Sequence, residues 1–358
     1  MSIEFYWRLP TSGDGHYGNA AKHRRGERDA SARPAFSPGV SDPRGNVFNY
    51  FDHLHQIARA VDLVGFDGLQ IPNDPNGDES WIVAGYLARG TRHIKLLTEF
   101  EASRGSAVFA AKNAAVYQRY TGGRFAWQIN AGGNARQRRW YGDFAGDSDL
   151  LPRIDEFVTI ARGVLSEAPY SFKGRFFEVK DGGFQGPLSK LPLPPVFLSG
   201  DSDDAYRLSA RIADVHLFDA LAADQLAHRI TRLQTLSQEA GRQVSIGLRL
   251  DVLARETEKE ALFDARRHWE QTGSQQQPGA SVNDSNLWAG LTTSHTGATA
   301  SLVGSYEQVV ARLADYANAG VTHFVLAATP HYEEAWRVGE HVLPELRAVT
   351  GTTRRLAA

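Results

Sequence analysis

The chain has 358 residues, 42% of them hydrophobic and 22% charged, with a formal net charge of −2 and no cysteine. This balance suits a globular protein with a large core and gives no electrostatic reason to bind nucleic acid or an anionic membrane. Disulfides, thiol nucleophiles and thiolate-bound metals are excluded, and with neither a leader pattern nor an apolar run of about eighteen residues the expected location is the cytoplasm.

Residues 3–9 (IEFYWRL) are apolar and aromatic enough for a first strand. The stretch that follows, LPTSGDGHYGN at 9–19, contains Gly13-Asp14-Gly15-His16-Tyr17-Gly18, a letter-for-letter G-x-G-x-x-G. A dinucleotide loop needs an amphipathic helix directly after its glycines, so that the helix N-terminus meets the pyrophosphate. From Ala20 onward the chain is instead polar and interrupted by Pro34, Pro38 and Pro43. The motif is therefore read as a chain-bending turn.

Further strands are expected at 68–71, 94–98, 125–129, 195–198, 215–218, 245–253 and 324–327, making eight in all. Helical periods lie between them at 49–64, 78–90, 106–119, 152–167, 203–212, 222–240, 257–272, 305–319 and 332–346. Near-strict alternation argues for a parallel sheet covered by helices, and eight strands argue for a closed (β/α)8 TIM barrel in a single domain over 1–358. An open doubly wound sheet is the main competitor. Irregular stretches at 11–48 after the first strand, 131–150 after the fourth, 168–194 before the fifth and 274–303 after the seventh hold the excess length. In a barrel, loops that follow strands build the active site, so 11–48 and 274–303 are expected to be lids.

Several strand ends carry polar side chains. Gln128 and Asn130 flank Ile129 and so share one face; they suit either a ligand or the backbone of a buried loop. Ser199-Gly200-Asp201-Ser202 ends the fifth strand and opens a helix, which is either an anion site or an N-cap. In Ile246-Gly247-Leu248-Arg249-Leu250-Asp251, Gly247, Arg249 and Asp251 share the face opposite the leucines. An arginine alternating with aliphatics needs a charged partner or a charged task, and the partner nearest in sequence is Asp251. His331 follows the last strand as a helix cap or a site residue, and His16 lies in the first loop. The pair His53 and His55 diverges on its helix, and Arg136-Gln137-Arg138-Arg139-Trp140 reads as a solvated loop.

LPTSGDGHY at 9–17, DESWIVA at 78–84, NLWAG at 286–290, SLVGSYEQVVARL at 301–313 and HYEEAWRVGEHVLPEL at 331–346 together resemble the bacterial-luciferase-like flavin monooxygenases. The likeness is nearest to the reduced-FMN-dependent alkanesulfonate monooxygenases, which convert a sulfonate to an aldehyde and sulfite. This resemblance implies a TIM barrel and a homodimer or homotetramer. It also implies reduced FMN delivered by a separate NAD(P)H-dependent flavin reductase, and dioxygen as co-substrate. It implies flavin contacts at Gln128, Asn130, Ser199, Gly200, Asp201 and Ser202, and catalytic roles for Arg249, His331, His16, His295 and Asp251. Substrate contacts are implied for Ser12, Asp219, Thr329 and Trp7, and a closing loop for 286–304.

Where those sulfonate enzymes carry cysteine, histidine, tryptophan, histidine, arginine and tyrosine, this chain has Gly77, Ser12, Asp219, Asp251, His295 and Thr329. Cationic character is lost and two carboxylates are gained. The expected substrate is an organosulfur compound of the alkanesulfonate kind, cleaved at its C–S bond. The alternatives are a non-sulfonate substrate with amine or hydroxyl groups, a deazaflavin-dependent hydride transfer on the same barrel, and a non-catalytic flavin-binding barrel.

Overall fold

A computed structural model describes residues 3–14, 50–272, 279–281, 284–289 and 300–352. In chain order the elements are β1 (Glu4–Arg8), α1 (Tyr50–Leu63), β2 (Gly68–Ile71), α2 (Ser80–Gly90), β3 (Lys95–Glu101), α3 (Ala107–Thr121), β4 (Phe125–Asn130), α4 (Ala135–Trp140) and α5 (Asp147–Ser166). Then come β5 (Tyr170–Lys173), β6 (Glu178–Gly182), β7 (Val196–Ser199), α6 (Asp203–Ile212), β8 (Val215–Asp219), α7 (Ala223–Glu239), β9 (Ser245–Arg255) and α8 (Glu258–Thr272). The last are β10 (Gly279–Ser281), β11 (Asp284–Ala289), β12 (Ser301–Ser305), α9 (Tyr306–Asn318), β13 (Val321–Ala327), α10 (His331–His341) and α11 (Leu343–Thr350). The ladder β9-β13-β1-β2-β3-β4-β7-β8 is joined by a further β8–β9 pairing, so eight parallel strands form a closed barrel with helices around it, a TIM-barrel α/β fold. No described helix is long and apolar enough to cross a membrane.

Two compact units divide the internal contacts. The first comprises residues 1–94, 218–231 and 245–357. Within it, registers pair Tyr6 with Val325 and Val325 with Arg249, while Ala327 pairs with Asp251. Phe5 stacks on Phe324 at 5.5 Å and lies 5.4 Å from the Arg347 guanidinium of α11, and Trp7 meets Phe66 edge-on at 5.5 Å. Phe5, Trp7 and Phe324 therefore face the helices. By strand alternation Tyr6, Arg8, Val325 and Arg249 face away from them. From the end of β9, β12 adds in parallel, and β11 and β10 extend it antiparallel, in the described parts of the expected 274–303 insertion.

The second unit comprises residues 95–217 and 232–244. Phe100 and Trp127 pack with Phe157 of α5 at 5.2 to 6.1 Å, which puts that face of β3 and β4 under helix. Glu99, Glu101, Gln128 and Asn130 take the opposite face.

Three local features depart from the sequence expectations. Helix α5 starts at Asp147 rather than Pro152, because Asp147 and Asp149 complement its N-terminal dipole, and Pro152 lies inside the helix. The segment 332–346 is two helices, since Val342 leaves ideal helical angles (φ −107, ψ −50) just before Leu343-Pro344 and proline withholds its N–H. The expected loop 168–194 holds the β5–β6 hairpin, whose turn is anchored by Glu156 accepting from the backbone N–H groups of Arg175, Phe176 and Phe177. Most of the expected lid 11–48 lies outside the described residues.

Candidate active site

In the first unit, Asp219 is the last residue of β8 and Arg249 lies midway along β9. The Arg249 guanidinium donates through Nε and Nη2 to the same carboxylate oxygen, Asp219 Oδ1, at 2.8 and 2.7 Å. The side chains keep 18% and 27% of their exposure, so the pair can still be reached by a ligand. Its geometry is set by backbone, because the N–H of Ala220 donates to the Arg249 carbonyl at 3.1 Å. The partner of Arg249 is thus Asp219, not Asp251. Asp251 lies on the same face two residues on, nearly buried, and its backbone N–H donates to Ala300. It lines a cavity of about 30 Å³ together with His268, Ser301, Thr329 and Glu334. Arg8, from β1, donates to Gln70 Oε1 at 3.1 Å.

The loop after β1 is fixed at its root by Asp14. Both oxygens of this carboxylate accept the His331 backbone N–H, at 2.9 and 3.1 Å, and one also meets His53 Nε2 at 3.3 Å. All three residues are buried. A carboxylate at the first amide of α10 complements the helix dipole and satisfies an N–H that no helical carbonyl can reach. The His331 ring packs edge-on to Trp7 at 5.9 Å. Burial lowers its pKa below the usual histidine value; Asp14 opposes that shift, and His53 and Arg8 reinforce it. Burial thus favours the neutral form of His331, and Trp7, against which it packs, is fully buried. Ser12 is half-buried, and Thr11 packs against Gly77, where a Cβ would come within 3.1 Å of the Thr11 backbone carbon and hydroxyl. A larger residue at 77 would push on this root.

In the second unit, Glu99 gathers the amides of β4. Gln128 Nε2 donates to Glu99 Oε2 at 3.3 Å, Asn130 Nδ2 donates to Glu99 Oε1, and Gln128 Nε2 also reaches Asn130 Oδ1 at 3.4 Å. The β7–α6 turn is glycine-dependent: Gly200 has φ +136, and a Cβ there would stand 2.9 Å from that of Ala205. Ser202 is the N-cap of α6, its hydroxyl accepting the Ala205 N–H at 3.1 Å. Ser199 is half-buried, whereas Gly200, Asp201 and Ser202 are exposed. Beneath the turn, His216 Nδ1 lies 2.7 Å from Ser209 Oγ, and Tyr206 meets the ring edge-on at 5.3 Å. Burial pushes its pKa down to about 4, against the opposing pull of a hydrogen bond with the Gly200 backbone and the charge of Asp201.

His16 and His295 lie outside the described residues. Asp14, Glu99 and His216 were not singled out from sequence. Glu99 carries the clearest missed signal, an acid in an apolar strand on the same alternating face as Leu97. Asp14 sits inside the glycine motif, but nothing in sequence links it to a helix 317 residues away.

A family model described as luciferase-like monooxygenase matches residues 24–323. Among solved structures, a riboflavin lyase (RcaE) with modified FMN and riboflavin superposes with a TM-score of 0.74 at 15% identity, covering 100% of this chain and 94% of that one. EDTA monooxygenase from Chelativorans sp. BNC1 gives a TM-score of 0.69 at 15% identity, over 100% of both chains. An F420-dependent secondary alcohol dehydrogenase in complex with an F420-acetone adduct gives 0.68 at 15%, over 97% of this chain and 100% of that one.

Proposed function

Because the chain belongs to the luciferase-like monooxygenase family, we propose that it is the oxygenating component of a two-component system. In this reading it takes reduced FMN from a separate NAD(P)H-dependent flavin reductase and uses dioxygen to oxygenate a small organic substrate. One observation carries the reading: a guanidinium held on the helix-free face of β9, oriented by Asp219 yet still partly exposed. A fixed cation of this kind stabilises negative charge as it develops on oxygen, without having to reorganise.

The residues fit a flavin mononucleotide with one exception. At the β7–α6 turn, Gly200 leaves open the space a Cβ would occupy, and the turn opens a helix, where backbone N–H groups suit a phosphate. The group of buried Glu99 and Gln128 with half-buried Asn130 offers polar contacts to the edge of a flavin ring. The exception is Asp201, whose carboxylate repels a phosphate unless only its backbone takes part; of its acidic neighbours, Asp203 is neutralised by Arg232 at 2.5 Å. Reduced FMN, when bound, supplies the electrons for dioxygen activation. Within the first unit Arg249, aimed by Asp219, would stabilise charge on a reacting oxygen; within the second, Gln128 and Asn130 would contact the flavin ring.

The test is an anaerobic titration with reduced FMN followed by aeration in the presence of candidate substrates. Arg249→Ala is expected to lower turnover by roughly 10²–10³-fold while leaving flavin affinity nearly intact. Equal turnover in the variant would remove Arg249 from the chemistry. The likeness to an F420-dependent dehydrogenase favours one second reading, hydride transfer with a deazaflavin. Reduction of a ketone by reduced F420, with no oxygen uptake on reduced FMN, would establish that reading instead.

A further inference from the structure

On the helix-free face of the second unit, the register of β3 and β4 sets Glu99 opposite Gln128 and Glu101 opposite Asn130. Glu101 is nevertheless engaged elsewhere. Its carboxylate accepts from Arg104 Nε and Nη2 and from Ser103 Oγ, each at 3.2 Å. Asn130 is left to Glu99, two residues back along β3. An ionised carboxylate has lone pairs and no proton, so neighbouring amides turn their N–H groups toward it. Gln128 Nε2 donates to Glu99 Oε2 at 3.3 Å and to Asn130 Oδ1 at 3.4 Å, which uses both of its hydrogens. Asn130 Nδ2 donates to Glu99 Oε1.

The Asn130 amide is thus held at both ends, its nitrogen by Glu99 and its oxygen by Gln128. A flip would set amide oxygen against carboxylate. One Nδ2 hydrogen and one Oδ1 lone pair remain to it. Glu99 is buried and Gln128 has no exposed surface, whereas Asn130 is half-buried. A ligand on this face therefore meets Asn130 first, presented in one polarity by the two residues behind it.

We propose that Glu99 is a positioning residue: it fixes the Asn130 amide so that one donor and one acceptor stand ready for the flavin ring. The proposal rests on the flavin reading above. It also accounts for an amide at 130, since a carboxylate there would face Glu99 as a like charge.

Exchanging the two chemistries tests it. Glu99→Gln removes the acceptor that orients Asn130, and FMN, titrated with its fluorescence quenching as the signal, is expected to bind about tenfold more weakly. In Glu99→Gln/Asn130→Asp the amide and the carboxylate trade places. The bond between positions 99 and 130 can then reform in the reverse direction, Gln128 keeps two acceptors, and total charge is unchanged. This double variant is expected to melt close to the wild type yet to bind FMN about tenfold or more weakly, because position 130 no longer offers an N–H. A purely structural role makes binding return with stability, and that result would overturn the proposal. So would wild-type affinity in Glu99→Gln, or a double variant that melts well below the wild type. Wild-type protein that binds no FMN, oxidised or reduced, would sink the flavin reading; the melting of the double variant would still decide whether Glu99 holds Asn130.

Discussion

Asp14 and His216 show how single buried polar groups hold the two candidate clusters in shape. Removing the Asp14 carboxylate leaves the first amide of α10 and the ring of His53 without their acceptor in a buried setting. Asp14→Ala is therefore expected to cost about 1–2 kcal/mol, read as a lowered denaturation midpoint in urea, and Asp14→Asn should recover part of it. A variant as stable as the wild type would show that water replaces the cap. His216 makes stability depend on pH. The folded imidazole gains its proton only near pH 4, against about 6.5 for the unfolded chain, so between those values only the unfolded state takes up a proton. The contribution of neutral His216 is complete above about pH 6.5 and is lost as pH falls toward 4, amounting to at most about 3 kcal/mol. His331, also lowered by burial, adds loss in the same direction. Urea unfolding at pH 7 and pH 5 should show the drop, and His216→Gln should flatten it; a slope unchanged in that variant would place its origin elsewhere.

At the scale of elements, close helix packing depends on positions that admit no side chain. A Cβ at Gly339 of α10 would stand 2.1 Å from Val64 Cγ2 and 3.1 Å from the Val64 carbonyl oxygen, at the end of α1. Gly339→Ala is expected to destabilise by about 1–3 kcal/mol despite the higher helix propensity of alanine, because α10 must back away from α1. Thermal melting in a double-mutant cycle with Val64→Gly checks this, since removing the Val64 Cβ and methyls should shrink the cost of the Gly339 substitution; an equal cost in both backgrounds would mean the clash is not the cause. The hairpin β5–β6 follows the same logic, with the Tyr170 ring lying where a Cβ of Gly163 would be. Its strands alternate apolar and polar residues around Gly174, a pattern present in Tyr170 to Val179 but diluted by the proline-rich run after it.

For the whole molecule, the eight barrel strands and the main helices between them were legible, because parallel strands leave apolar runs and their covering helices leave a 3.6-residue period, whereas α4, β5–β6 and β10–β12 were not. Which residues share a face could be read as well: Gln128 with Asn130, and Arg249 with Asp251, follow from a period of two. Which residue meets which across strands could not. Arg249 found Asp219, 30 residues earlier, because register between neighbouring strands is set by packing that no single strand encodes. Asp14 escaped notice for the same reason on a larger scale. The pairing of β1 with β13, from Glu4 with His323 to Trp7 with Leu326, has a consequence for biosynthesis. On the ribosome the first strand emerges long before its partner exists, and the Asp14 anchor waits for an amide made 317 residues later. One edge of this apolar strand is thus sealed only after β13 has been made. During that interval β1 can pair with β2 but keeps its other edge open, and the yield in a cell is expected to follow the supply of chaperones that hold nascent chains.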